Sequence, residues 1–280
     1  MVAVTEMNAM KRLHRSDLRR TNEIPYFEIP EIARLGWVRH AFLTRMGGTS
    51  PSPFESLNLG KDSGDSEDHV SRNKNLAASS FGFDPRQLIL LHQVHQDRIL
   101  VLREPDDPLP AGLEYDAMLT HSPNRFLGIK TADCLPILIL DTSKRVVAGV
   151  HAGRQGTAYQ ITRKVLKKMK TDLGCHPGDL WVAVGPSIGP CCYEIDEKVF
   201  LQEWKSFSRS KGAGKWMVDL PGINMAQMEM EGIHEDQIFW INLCTRCHPE
   251  LFFSYRGEGR TGRQLSFIGI AEANPGCRSL

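Results

Sequence analysis

No apolar run in this chain of 280 residues approaches the roughly 18 that a membrane-spanning helix needs, so no such helix is expected. Charge of one sign is lacking too. Thirty-four Lys and Arg stand against 33 Asp and Glu, a formal net charge of +1. That balance provides no broad basic field for nucleic acid or an anionic membrane surface. The first twenty residues have no apolar core followed by small residues, so they do not read as a secretory signal. Cysteine is sparse: seven residues, an odd number without a framework spacing. This argues against a disulfide scaffold and suits a reducing cytoplasm, where Cys either packs or does chemistry. Repeats and low-complexity linkers are absent, as are a Walker sequence and a G-x-G-x-x-G following a strand.

The length accommodates one large domain or two small ones. Residues 1–23 read as an N-terminal arm, mobile or loosely docked, ahead of a single domain over 24–280. Short apolar runs predict strands over 87–95, 98–102, 127–130, 135–140, 145–150, 180–185, 237–242, 251–255 and 265–270. A further strand begins at 40 and breaks into a Gly/Ser/Pro loop. Helices are expected over 66–81, 157–173 and 197–208, and from Pro221, a favoured first-turn residue, to near Gly232. Ile161, Val165, Leu166, Met169 and Leu173 give the second helix one apolar face, and Gly174 stops it. Strands and helices are mixed without strict alternation, which indicates an α+β class with mixed sheets.

The most informative stretch is GIKTADCLPILILDTSKRVVAGVHAGRQGT, residues 128–157. With Thr142 and Ser143 as a two-residue turn, Asp141 faces Lys144 and Cys134 falls opposite His151. Directly opposed side chains share a face with Cβ atoms about 5 Å apart, which suits two ligands of one ion. A slip of one residue would put them on opposite faces, and Pro136 implies an edge or a break in pairing. His92 and His95 of QLILLHQVH are the available third ligands; in an extended strand only one can join, and the pattern does not say which. After His151 the chain enters a helix whose start, near Thr157, is an expected anion site beside the metal.

Nine stretches resemble the laccase-domain family, which is unrelated to the true multicopper oxidases and whose members are also described as purine nucleoside phosphorylases. They are FLTRMGG (42–48), SLNLG (56–60), LHQVH (91–95), DAMLT (116–120), TADCLPILILD (131–141), VHAG (150–153), GPSIGPCCYEID (185–196), CTRCHPELFFSYR (244–256) and TGRQ (261–264). The resemblance implies α/β/β/α-type layers similar to the cytotoxic necrotizing factor deamidases. It also implies one zinc ion on His95, Cys134 and His151, which would be the catalytic centre. The activity it implies is phosphorolysis of adenosine, inosine and 5'-methylthioadenosine, with adenosine deamination alongside. The family usually reads H-A-G-W-[RK]-G, whereas this chain has Arg154 and Gln155 in HAGRQG; a stacking surface and a fixed charge are exchanged. Gly257 likewise stands where a second Arg often follows SYR.

Zinc would lower the pKa of a bound water, while Arg45 of TRMGG, Asn58 of SLNLG and Arg263 of TGRQ are the expected contacts to nucleoside and phosphate. Asp133, beside Cys134, either orients a ligand or shapes a turn. Three other functions remain in play: a copper polyphenol oxidase, since Cys/His sites also suit copper; a Cys134–His151 hydrolase or deamidase; and a metal-binding protein without turnover. Cys244-Thr-Arg-Cys247-His248 has the spacing of a c-type haem attachment, but that chemistry normally needs export. Cys191-Cys192, in a Gly/Pro loop, reads as shape and packing.

Overall fold

The computed structural model describes residues 10–104, 107–110, 112 and 114–271. The expected 103–115 loop therefore lies partly outside the described residues. A seven-stranded mixed sheet runs in the order β1 (Lys11–Leu13), β15 (Ile238–Ile241), β11 (Leu180–Val184), β9 (Leu135–Asp141), β10 (Val146–Ala152), β7 (Ala117–Thr120), β6 (Ile99–Leu102). A six-stranded sheet runs β2 (Arg19–Thr21), β3 (Ile24–Phe27), β4 (Val38–Leu43), β16 (Gln264–Ile270), β8 (Phe126–Thr131), β5 (Leu88–Leu90). A small third sheet holds β12 (Glu194–Asp196), β14 (Lys215–Val218) and β13 (Ser208–Gly212). The helices are α1 (Pro30–Ala33), α2 (Glu67–Ser80), α3 (Arg154–Ala158), α4 (Ile161–Leu173), α5 (Leu220–Glu229) and α6 (Tyr255–Glu258).

The continuous apolar run 135–140 follows from burial on both faces of β9. Leu138 and Leu140 point between the two large sheets, where they meet Phe42, Leu127, Ile129 and Ile268. Ile137 and Ile139 point the other way, onto Val165, Leu166 and Met169 of α4 and Met225 and Met228 of α5. On the far side, Ala77 and Ala78 of α2 pack on Leu43, Leu265 and Phe267 of the six-stranded sheet. Period-2 alternation thus serves two cores at once, and the layers stack as α/β/β/α in a mixed α+β fold.

Several elements differ from the sequence expectation. The arm contributes two strands: β1 pairs with β15 and β2 with β3, so the described part of 1–23 is docked on both large sheets. Of the expected 87–95 strand only 88–90 joins a sheet, with one isolated bridge from His92 to Glu114. Residues 197–208 form two short 3-10 segments leading into β13, with Trp204 drawn into a satellite cluster with Ile195, Val218 and Ile223. The strand expected at 251–255 does not form, because its backbone is taken by loop partners. Arg45 N donates to Leu251 O (2.8 Å) and Phe253 N donates to Gln264 Oε1 (2.8 Å). The 157–173 helix is two helices, α3 and α4, broken at Gln160 in the left-handed region (φ 58°).

The hairpin register is shifted by two residues. Val146 pairs with Asp141 and His151 with Pro136, so the loop is 142–145, four residues rather than two. Asp141 Oδ1 causes this by accepting from Ser143 N (2.9 Å) and Lys144 N (2.7 Å), with Arg145 at φ 54° closing the turn. A shift of two preserves the face of every side chain, so Cys134 and His151 remain on one side as diagonal rather than direct neighbours. Pro136 lies in a central strand, not at an edge. It stands at a position that makes no bond to β10, because His151 N turns to Asp116 O instead (2.7 Å).

Candidate metal centre

Cys134 immediately precedes β9, and the residue before it, Asp133, is held at φ 91°. Such a conformation in a non-glycine residue is costly and persists only where its surroundings over-determine it. Here Asp133 Oδ1 accepts from Thr245 Oγ1 (2.6 Å) and Ser254 Oγ (2.7 Å). Oδ2 accepts from Arg256 N (2.6 Å), and the Asp133 carbonyl takes Ile188 N (2.9 Å). Asp133 therefore anchors the 185–188 and 244–256 loops around Cys134.

His151 sits on β10 with its ring buried, and His95 lies on the irregular stretch after β5 at φ 61°. The two imidazoles are 4.8 Å apart between centroids and 77° apart in plane. One ligand atom from each of His95, Cys134 and His151 lies within 4.8 Å of the others. His92 also lines the cavity described below but is turned to Asp62, with Nδ1 3.3 Å from Oδ2. Strand alternation does not make that choice, because 91–98 is not a strand.

Asp116 makes it. Fully buried, its Oδ1 takes the Nδ1 proton of His151 (2.8 Å) and His95 N (2.9 Å), while Oδ2 accepts from Gln96 N (2.8 Å). One carboxylate thus orients one ligand's ring and the other ligand's backbone, and it leaves His151 Nε2 free to face Cys134. Burial pushes this carboxyl up, but the His151 contacts and backbone donors outweigh it, and the net direction is down. Burial also pushes the Cys134 thiol up, and the facing His151 charge with bonds from both imidazoles brings it down overall. His151 is raised: burial opposes its charge, and Cys134 and Asp116 outweigh burial. The thiolate state that a metal ligand needs is therefore favoured by the protein itself.

Gly153 closes the floor. A Cβ there would stand 2.9 Å from Cys134 Sγ and 3.1 Å from His95 Cδ2, so only glycine lets β10 end against both ligands. The donor set, one thiolate and two imidazoles with an outer carboxylate on one ring, fits a tetrahedral zinc site with one position open.

These three residues form the floor of a cavity of about 390 Å³ whose wall carries Lys130, Arg256, Arg263 and Tyr193. Burial lowers both Lys130 and Arg263 from their usual ranges. Tyr193 is pushed up to about 12 by burial and the Cys134 charge, so its phenol stays a donor at neutral pH. Arg263 is the one of the three expected contacts that lines this cavity; Arg45 and Asn58 do not. Arg45 is committed elsewhere: Nε donates to Glu55 O (2.8 Å), Nη1 pairs with Glu258 (2.6 Å), and its plane lies 4.5 Å from the Phe253 ring. Asn58 is fully buried and acts one step back, its Oδ1 accepting from Arg263 N (2.8 Å) and Gly60 N (2.9 Å). The helix start expected near Thr157 lies instead at Arg154, and Thr157 N already donates to Gly153 O (2.8 Å); the positive charge on the cavity wall comes from side chains. Arg154 of HAGRQG is off the lining but bears electrostatically on Tyr193.

Asp116 and Tyr193 were missed as individual residues. Each stood inside a matched stretch, DAMLT and GPSIGPCCYEID, which was the available signal.

A mixed α+β protein with an imidazole–thiolate–imidazole floor beneath a cationic wall is the class that fold and site define. Residues 39–271 match the family described as multi-copper polyphenol oxidoreductase laccase, and the chain belongs to that family. It is 34% identical over 246 residues, 83% of this chain and 88% of the other, to a protein of Bacillus subtilis (strain 168) named purine nucleoside phosphorylase YlmD. It is also 34% identical to the purine nucleoside phosphorylase of Deinococcus radiodurans, over 88% of this chain and 93% of that one. Among solved structures it is similar to the hypothetical protein YfiH of Bacillus licheniformis, with TM-score 0.82 and 31% identity over 90% of this chain and 98% of that one. Geobacillus stearothermophilus YlmD is similar to the same degree, with TM-score 0.82 and 30% identity over 91% and 98%. Among the described residues no helix is long and apolar enough to cross a membrane.

Proposed function

We propose that this chain is a zinc-dependent purine nucleoside phosphorylase, acting on adenosine, inosine and 5'-methylthioadenosine, with adenosine deamination at the same site. The observation that carries the reading is the His95–Cys134–His151 cluster at the base of a cavity lined by Lys130, Arg256 and Arg263. The names borne by its relatives supply the substrate class. When bound, the metal supplies Lewis acidity and a water of lowered pKa.

In phosphorolysis a phosphate oxygen bonds to C1′ of the ribose as the glycosidic C–N bond breaks, its electron pair leaving with the base. Lys130, Arg256 and Arg263 hold the anionic phosphate and bring its oxygen to C1′ of the neutral nucleoside. The Tyr193 phenol can donate to the nucleoside. In deamination, water adds at C6 and ammonia leaves. Asp116 keeps the His151 ring in one tautomer throughout.

The test is metal analysis followed by incubation with adenosine or inosine, with and without phosphate. Phosphate-dependent release of free base and ribose 1-phosphate is expected, with inosine forming from adenosine. Copper-dependent phenol oxidation without phosphate-dependent base release would instead support the copper reading that the family's name favours. Absence of turnover in metal-replete protein would leave a binding role. Turnover that survives metal removal but not Cys134→Ser would support the thiolate reading, which the lowered thiol favours.

A further inference from the structure

A second cluster lies outside this cavity. Cys191, Cys192, Cys244 and Cys247 each place a sulfur within 4.8 Å of the others. Cys247 Sγ is 3.6 Å from Cys191 Sγ and 3.4 Å from Cys192 Sγ. Four thiolates around zinc at about 2.3 Å would stand about 3.8 Å apart, so the spacing is close to tetrahedral before any ion is added.

The backbone is arranged for it. Cys192 N and Tyr193 N both donate to Gly189 O (2.9 Å each), folding 189–193 into a tight turn that aims two consecutive cysteines one way. Cys247 N and His248 N donate to Cys244 O (3.1 and 3.2 Å), so the C-x-x-C pair also shares one turn. Gly189 N points at Cys244 Sγ (3.3 Å), as backbone amides do toward metal-bound thiolates. The haem reading of 244–248 fails on this geometry, because both thiols face the 191–192 pair.

We propose that these four cysteines form a structural zinc site that clips the 185–193 loop to the 244–256 loop. Each thiol gives its proton to solvent as its sulfur–zinc bond forms, with no change of oxidation state. The clip acts next to the first site without belonging to it. Tyr193, beside Cys192, lines the cavity, and Thr245, inside the C-x-x-C turn, donates to Asp133 (2.6 Å). The proposal does not depend on the reaction run at the first site.

The test is zinc content of protein purified under reducing conditions without chelator. Two zinc ions per chain are expected. The double variant Cys191→Ser/Cys247→Ser should retain one, bound at His95–Cys134–His151, and should unfold at lower temperature. Cobalt substitution gives an independent signature, since the intense thiolate-to-cobalt absorption should fall several-fold in the double variant. Should that variant not fold, titration of the wild type with a thiol-specific mercurial should release one zinc per four thiols modified at this cluster. Equal zinc content in the wild type and the double variant, whatever metal the first site holds, or disulfides among these four cysteines in the reduced preparation by intact mass, would overturn the proposal.

Discussion

Asp116→Asn keeps the shape of the residue beneath the metal ligands but removes its charge and one acceptor. The carboxylate accepts from His151 Nδ1 (2.8 Å) and His95 N (2.9 Å) on one oxygen and from Gln96 N (2.8 Å) on the other. If the amide oxygen keeps the first pair, its NH2 meets the Gln96 N–H, donor against donor. One buried donor left unpaired costs about 1–3 kcal/mol. The bond to His151 also changes from charge-assisted to neutral, which roughly halves it. Together these predict a loss of about 2–4 kcal/mol in stability. Zinc affinity at the first site should fall about 10–100-fold, as for loss of other carboxylates behind ligating imidazoles. Competition with a chromophoric chelator reads the affinity, and urea denaturation of the metal-free protein reads the stability. Affinity within about twofold of wild type would show that Asp116 does not hold the site and would remove the argument for His95 over His92.

Gly153→Ala pushes a Cβ to 2.9 Å from Cys134 Sγ; zinc affinity should drop about tenfold or more, and unchanged affinity by the same competition assay would show that the floor can relax. Arg263→Ala should raise the KM for phosphate. Arg45→Ala, which breaks the Glu258 pair and the Phe253 contact, should cost about 2 kcal/mol of stability and leave that KM unchanged; steady-state kinetics and urea melts separate the two. His40 is buried, its Nε2 accepting from Ile29 N (2.8 Å), and burial then the Arg19 charge lower its pKa to about 3. The unfolded chain therefore binds a proton below about pH 6.5 that the folded one refuses, and stability present above that pH is lost as pH falls toward 3, by about 2 kcal/mol between pH 6.5 and 5. The His40 ring resonance should not titrate across that interval; a midpoint near 6.5 by NMR would refute the assignment.

Much of the architecture was legible because local patterns carry it. The helical spacing of Ile161, Val165, Leu166 and Met169 and the double-sided apolar run 135–140 each report their own burial. The shared face of Cys134 and His151 survived a wrong register because strand parity is unchanged by two residues. The turn that caused the error depends on one side chain, Asp141, folding back on its own backbone. The strands of the arm escaped notice because both are short and largely exposed; Arg19–Thr21 makes a local hairpin with Ile24–Phe27, but Lys11–Leu13 is paired only through Phe239–Ile241. The grouping of Asp116 with its partners, and of the four thiols with one another, was illegible for the reason that holds for Lys11–Leu13. Their partners lie 20–35 and about 55 residues away, and no spacing rule spans such separations.

By itself the sequence determined the α+β class, the two-faced burial of the central strands, the set of residues able to bind metal, and membership of a family through its matched stretches. Only the tertiary structure decided which of those residues meet. It brought His95 rather than His92 to the floor, sent Arg45 into the scaffold and Arg263 into the cavity, and gathered four scattered cysteines. Patterns along a chain encode burial, a property each residue carries alone. Coordination is a property of groups, and groups are assembled only when distant loops are pinned by buried carboxylates such as Asp116 and Asp133.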